Sequence, residues 1–174
     1  MAQKQHVALI FCKLADQNND IEVLLSKRAA LQYEDPNSPK PQSFFQGMQI
    51  FPGGKMEETD KNVWYAIARE LREEAGTKAY NWVRIFLKKY PEKIHQVGEF
   101  CFAIEMSDDE SEEFFGKIKL IQDHESVDWY TSKEVEQFED LKPFKNGVPD
   151  GINAIFQDEA EWIKTLAEKV LKKT

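Results

Sequence analysis

The segment GGKMEETDKNVWYAIARELREEAGT, residues 53–77, contains the change of pattern that organises the chain. A glycine pair opens it, a polar stretch with Glu57, Glu58 and Asp60 follows, and Val63, Ile67 and Leu71 then recur at four-residue spacing. That period predicts a helix over Val63 to Ala75, with Gly76 placed as its C-cap. On such a helix Glu70, Glu73 and Glu74 stand at i, i+3 and i+4, so three carboxylates crowd one face within about a turn. Like charges at this spacing repel, and the arrangement is destabilising unless each is solvated, paired with arginine or bound to a cation. A Glu/Arg-rich helix taken alone is most simply a solvent face. The glycine pair upstream, the aliphatic residues recurring along the helix and the glycine directly after the carboxylates move the reading towards a cation site.

Working outward, His6 to Lys13 and Ile21 to Lys27 are apolar and β-branched runs separated by the polar stretch Asp16 to Asp20, so they predict a pair of neighbouring strands. Arg28 to Gln46 holds Pro36, Pro39 and Pro41 and reads as a long loop. Met48 to Phe51 is a short strand closed by Pro52, Gly53 and Gly54. Beyond the helix, Trp82 to Leu87 predicts a strand and His95 to Met106 the longest strand of the second half. Asp108 to Glu113 is an acidic loop or helix start. Ser126 to Tyr130 predicts a strand leading into a helix that Thr131 caps, with Glu134 three residues on as in a capping box. Pro143 to Gly151 is a loop, and Ile152 to Lys172 holds one or two terminal helices whose apolar side has Ile155, Phe156, Trp162, Ile163, Leu166 and Val170. Mixed strands with few, separated helices suggest an α+β or layered α/β/α domain, with no internal repeat.

The chain of 174 residues fits one domain, 1–174, able to bury a core without staples. With 41% hydrophobic and 31% charged residues it has the composition of a soluble globular protein. A net charge of −8 argues against a broad basic surface for long nucleic acid and suits a cation binder, because a protein of this charge that handles phosphates needs local positive charge. Cys12 and Cys101 lie in apolar runs without metal-ligand spacing and are expected as buried free thiols. No apolar run reaches membrane-spanning length and the start lacks a signal-peptide pattern, which makes the cytoplasm the expected compartment.

Gly54 through Thr77 resembles the Nudix box, G-x5-E-x7-R-E-U-x-E-E-x-G-U with U aliphatic. Gly54, Arg69, Glu70, Leu71, Glu73, Glu74 and Gly76 match it. The early acid falls on Asp60 instead of Glu, eight residues instead of seven then precede Arg69, and the final aliphatic is Thr77. The extra residue fits the loop before the helix, and it leaves Asp60, Glu57 and Glu58 all open for the early acidic position. Outside the box, IEVLLSKRA is similar to the family's preceding strand, and the stretch from His124 to Trp129 with Ser132, Lys133 and Glu134 is similar to its E-x3-W segment.

The resemblance implies a mixed sheet between helices, an α/β/α sandwich, and metal-dependent hydrolysis of a diphosphate linking a nucleoside to another group. It implies Mg²⁺, with Mn²⁺ as a substitute, held by Glu70, Glu73, Glu74 and a backbone carbonyl near Gly54, one carboxylate also deprotonating water. Arg69 is expected to hold a box carboxylate in place, and its plainer reading as an ordinary helix pair with Glu73 is compatible with that role. Glu125, four residues before Trp129, is the candidate for a further catalytic carboxylate; Asp123 is the next choice, and a solvated loop acid is the competing reading. The substrate stays open among (d)NTPs, ADP-ribose and nucleotide sugars, dinucleoside polyphosphates, coenzyme A and RNA 5′ ends. Pro91, fifteen residues after Gly76, is a weak pointer to ADP-ribose, and Tyr33, Phe44 and Phe45 are candidates for stacking a base, with core packing the competing reading for the two phenylalanines. Relatives of this kind often dimerise, which leaves a homodimer open. The rival reading is a catalytically inert Nudix-fold module that senses a nucleotide or binds a protein. A plain helical interaction protein explains neither the glycine pair nor the strand-rich halves.

Overall fold

A computed structural model describes residues 5–15, 19–28, 31–32, 40–41, 47–120, 124–144, 147–149 and 151–172. The expected stacking residues Tyr33, Phe44 and Phe45, and the reserve acid Asp123, lie outside them. The strands are β1 (His6–Ala15), β2 (Asp20–Arg28), β3 (Leu31–Gln32), β4 (Lys40–Pro41), β5 (Met48–Ile50), β6 (Gly53–Lys55), β7 (Ile94–Gly98), β8 (Cys101–Glu105), β9 (His124–Thr131), β10 (Glu139–Asp140) and β11 (Ala154–Ile155). The helices are α1 (Val63–Ala75), α2 (Thr77–Lys89), α3 (Asp108–Phe115), α4 (Ser132–Glu136) and α5 (Gln157–Leu171).

The buried run Val7 to Cys12 makes β1 a central strand, because residues that alternate between two covered faces must all be apolar. Val7, Leu9 and Phe11 point to one side and Ala8, Ile10 and Cys12 to the other. Strand β1 pairs antiparallel with β2 and parallel with β8, and β2 takes β9 and β5 as further antiparallel partners. Among the described residues nine strands form this mixed sheet, and β3 and β4 pair separately. On the Val7 face, α1, α2 and α3 contribute Ile67, Leu71, Val83, Phe86 and Phe114 to the core. On the Ala8 face, α4 and α5 contribute Val135, Ile163, Leu166 and Val170. The result is the expected α/β/α sandwich.

The elements decisive for the site form as their sequence predicts. Asn62 caps α1 through a bond from the Tyr65 N–H, and Gly76 closes it at φ +91°, a conformation that side chains disfavour. Thr131 and Glu134 form the expected capping box of α4. Asp20, buried at the start of β2, accepts bonds from the Ser132 hydroxyl and the Lys133 N–H and so ties α4 to the sheet. Glu159 of α5 accepts the Ile50 N–H at 2.7 Å, which fixes the terminal helix to the strand leading into the glycine pair. Both cysteines are buried free thiols, and burial pushes their pKa values up. Among the described residues no helix is long and apolar enough to cross a membrane.

Three expectations need correction. Trp82 to Leu87 is not a strand but part of α2: Ala79, Val83 and Phe86 are buried at helical spacing, a period that the six β-favouring residues viewed alone conceal. His95 to Met106 is two strands, β7 and β8, folded into a hairpin at Gly98 to Phe100. In the terminal segment Ile155 belongs to β11, and a single helix starts at Gln157.

Phe11 has no exposed surface and its ring meets that of Phe114 at 4.2 Å. Replacing Phe11 by alanine is expected to cost about 3–5 kcal/mol, read as a lowered midpoint of chemical denaturation; an unchanged midpoint would contradict this account of the core.

Candidate active site

The glycine pair and α1 meet because β6 runs antiparallel to β1, with Val7 opposite Gly54 and Ala8 opposite Gly53, while α1 lies across the same sheet face. A Cβ built on Gly54 would stand 2.3 Å from a Glu70 carboxylate oxygen, so the glycine is what lets this carboxylate rest against the main chain. One turn further on, Glu74 accepts the Gly53 N–H at 3.1 Å. The bend and two of the three crowded carboxylates therefore form one unit.

Arg69 is its hub. Its Nε and Nη2 donate to the two oxygens of Asp60 at 3.1 and 2.9 Å, a bidentate pair that carboxylate and guanidinium geometry favours. Nη1 donates to Glu70 at 3.0 Å and to Glu73 at 3.2 Å, and Nη2 also reaches the Lys55 carbonyl at 2.9 Å. Of the acids left open for the early position, Asp60 is the one that takes this pair; Glu57 stands 3.5 Å from Nη1, and Glu58 is exposed. Asp60 also accepts the Glu57 N–H at 2.8 Å. The Arg69 bonds first, and that backbone bond second, hold the Asp60 carboxyl below its ordinary value.

Glu70 is the group under electrostatic pressure. Burial first and the Glu74 carboxylate second raise its carboxyl to about 7, against the opposing pull of Arg69. One guanidinium thus faces Glu57, Asp60, Glu70 and Glu73, with Glu74 beside them.

No three of the described His, Cys, Asp and Glu side chains gather around one point as they stand, since Arg69 engages Glu70 and Glu73 while Glu74 turns to Gly53. The donor set nevertheless fits a hard divalent cation. It consists of carboxylate oxygens and main-chain carbonyls, beside the space left by the missing Gly54 side chain, and includes a carboxylate whose ionisation burial first and Glu74 second oppose.

The structure does not bring Glu125 to this cluster. Lys27 pairs with Ser126 and Arg28 with His124, so Glu125 is the residue that the register skips. Its carboxylate stands 3.9 Å from Lys27, both side chains more than half exposed, an ion pair of little energetic weight. The residue that the strand delivers instead is His124, which sequence reasoning passed over. Its Nδ1 is 2.8 Å from the Ser26 hydroxyl, its Nε2 is 3.7 Å from Glu74, and its ring packs edge-on to Phe51. Nothing local marks it, because a lone histidine beside a glutamate acquires this place only through the bulge between β2 and β9.

A family model described as NUDIX domain matches residues 4–150. The chain therefore belongs to the Nudix family, which consists typically of pyrophosphohydrolases acting on nucleotide-type substrates, generally with divalent metals such as Mg²⁺. No curated protein sequence matches it. Among solved structures, a C. elegans Ap4A hydrolase binary complex matches with a TM-score of 0.53 at 11% identity, covering 99% of this chain and 100% of that one. The NUDIX domain of Shewanella oneidensis NrtR complexed with ADP ribose matches with a TM-score of 0.51 at 18% identity, covering 98% and 90%. A mutT/nudix family protein from Listeria innocua matches with a TM-score of 0.55 at 14% identity, covering 99% and 97%. At these identities the likeness is one of fold.

Because the native Asp60 pKa lies below the ordinary 3.8, its stabilising contribution is full above that value and is lost as pH falls through the lowered native one. The stability advantage of the wild type over Asp60→Asn should follow that course in denaturant titrations across the acid range. An advantage that stays constant to the acid end would contradict it.

Proposed function

We propose that the protein is a Mg²⁺-dependent pyrophosphohydrolase that cleaves a diphosphate linking a nucleoside to another group. The observation that carries this reading is the seating of Glu70 on Gly54 and of Glu74 on Gly53, with Arg69 holding Glu70, Glu73 and Asp60 together.

In this reading Glu70, Glu73, Glu74 and the main chain near Gly54 hold Mg²⁺, or Mn²⁺ in its place. The cation, when bound, offsets the charge of the diphosphate and lowers the pKa of water. The protein's own share is positional. Arg69 restrains the carboxylates it bonds, so that little rearrangement remains when substrate arrives. One of the three glutamates takes a proton from the attacking water; the water oxygen forms a bond to phosphorus as the bridging P–O bond breaks, and the bridging oxygen leaves with the departing phosphate. His124, between Ser26 and Glu74, orients Glu74 from outside the set of proposed ligands. Glu125 is given no part in this arrangement; its partner is Lys27.

Two of the similar folds are described with Ap4A hydrolysis and with ADP ribose, which supports a nucleotide-type diphosphate as the substrate class here. The group on the far side of the diphosphate stays open. Pro91, the pointer to ADP-ribose, opens a single 3-10 turn between α2 and β7. The inert sensing module is disfavoured by the crowded carboxylates, because a sensor has no need of them.

Glu73→Gln and Glu74→Gln should each reduce Mg²⁺-dependent turnover by at least about a hundredfold while leaving circular dichroism and denaturation midpoints near the wild type. A panel of dinucleoside polyphosphates, ADP-ribose, nucleotide sugars and (d)NTPs, with products identified by mass, provides the assay. Wild-type-like turnover in either variant would refute the assignment, and a folded wild type that binds members of the panel without cleaving them would favour the sensor.

A further inference from the structure

The carboxylates occupy one side of α1. Trp64, Ala68 and Arg72, at i, i+4 and i+8, form a ridge on the far side of the same helix. Between this ridge and α2 lies an open pocket of about 530 Å³. Its floor is apolar, formed by Ile67, Leu71 and Val83, and Trp64, Tyr65 and Tyr80 supply its aromatic walls. That volume lies inside the range of small-molecule sites, about 300–1,000 Å³, whereas a protein partner needs a far broader surface.

The charge in this pocket runs against the rest of the chain. Acidic residues outnumber basic ones by 31 to 23 overall, yet the charged residues lining the pocket are Arg69, Arg72, Arg84 and Asp60. Arg69 and Asp60 neutralise each other through their bidentate pair. Among the described residues neither Arg72 nor Arg84 has a carboxylate partner, and the Arg72 guanidinium lies over the Tyr80 ring at 4.5 Å. A guanidinium stacked on an aromatic ring keeps its in-plane N–H donors free, and such donors match the oxygens of a phosphate.

We propose that the pocket between α1 and α2 is a second ligand site, distinct from the carboxylate face, which takes a mononucleotide. A flat ring fits the Trp64, Tyr65 and Tyr80 walls over the apolar floor, and Arg72 and Arg84 hold the phosphate. Ring and anion are both required, because stacking on aromatic walls and exposed arginines holding phosphate are each weak alone. The site borders the carboxylate cluster through Arg69 and Asp60, but none of Glu70, Glu73 and Glu74 lines it, so it does not need the hydrolase reading.

The test is calorimetric titration of the full chain with AMP in the presence of a divalent-metal chelator, with adenosine and inorganic phosphate as the ring-only and anion-only arms. AMP should bind, and each partial ligand should bind at least about tenfold more weakly. The Arg72→Ala/Arg84→Ala double variant should lose at least about tenfold in AMP affinity. Ala68→Leu, which narrows the pocket and leaves every charge in place, should do the same, and Glu73→Gln should leave AMP binding unchanged. The proposal is overturned if AMP does not bind, if binding survives the arginine substitutions, or if Glu73→Gln abolishes it and so moves the ligand to the carboxylate face. Failure of turnover in the substrate panel would leave these outcomes untouched.

Discussion

One guanidinium set among carboxylates is the constraint on which the site depends. Arg69 bonds Asp60 with two of its nitrogens, Glu70 and Glu73 with the third, and the Lys55 carbonyl as well. It joins the loop before α1, the helix itself and the glycine-bearing strand β6. Without it, Glu70 and Glu73 would repel each other without a nearby positive charge, and Asp60 would lose both bonds that depress its pKa most. Even with Arg69 present, burial first and the Glu74 carboxylate second keep Glu70 raised to about 7, and the one guanidinium faces Glu57, Asp60, Glu70 and Glu73 together. That crowding of acids around one cation is the physical ground on which the proposed metal site rests.

The sheet makes this arrangement rigid. Covering β1 on both faces fixes β6 beside it, and α1 can then lie only with Ile67 and Leu71 against Leu9 and its neighbours. Helix and glycine pair are held from opposite sides of one apolar layer, which sets their separation without relying on the charges. From the other layer, Glu159 holds Ile50, the last residue of the strand that precedes the bend. The same packing of α2 against α1 that buries Val83 and Phe86 also leaves the basic, aromatic-walled pocket on the outer side of the helix. One helix therefore presents two chemically opposite faces.

Legibility followed the range of the interactions involved. The bounds of α1, its glycine cap and the capping box of α4 are local, and the residues 63–76 and 131–134 declare them directly. The pairing of β1 with β2 was readable from two apolar runs separated by a polar turn. Helix α2 reads locally as a strand because Trp82, Val83, Ile85 and Phe86 favour strands individually, while the burial period that overrides them needs the wider span from Ala79. The hairpin in His95 to Met106 was hidden in the same way, since continuous apolar character does not announce where a strand turns.

The sequence by itself determined that a 13-residue helix would put Glu70, Glu73 and Glu74 on one face behind a glycine pair, because the spacing of side chains on a helix is set by backbone geometry within the segment itself. Only the tertiary structure decided which distant groups met that face. It gave Asp60 to Arg69, although three acids were open to it, and it brought His124 to Glu74 while turning Glu125 towards Lys27. The physical reason is that a one-residue slip in strand register exchanges which side chain enters a site, and register is set by pairing across the sheet and not by the neighbours of a residue along the chain.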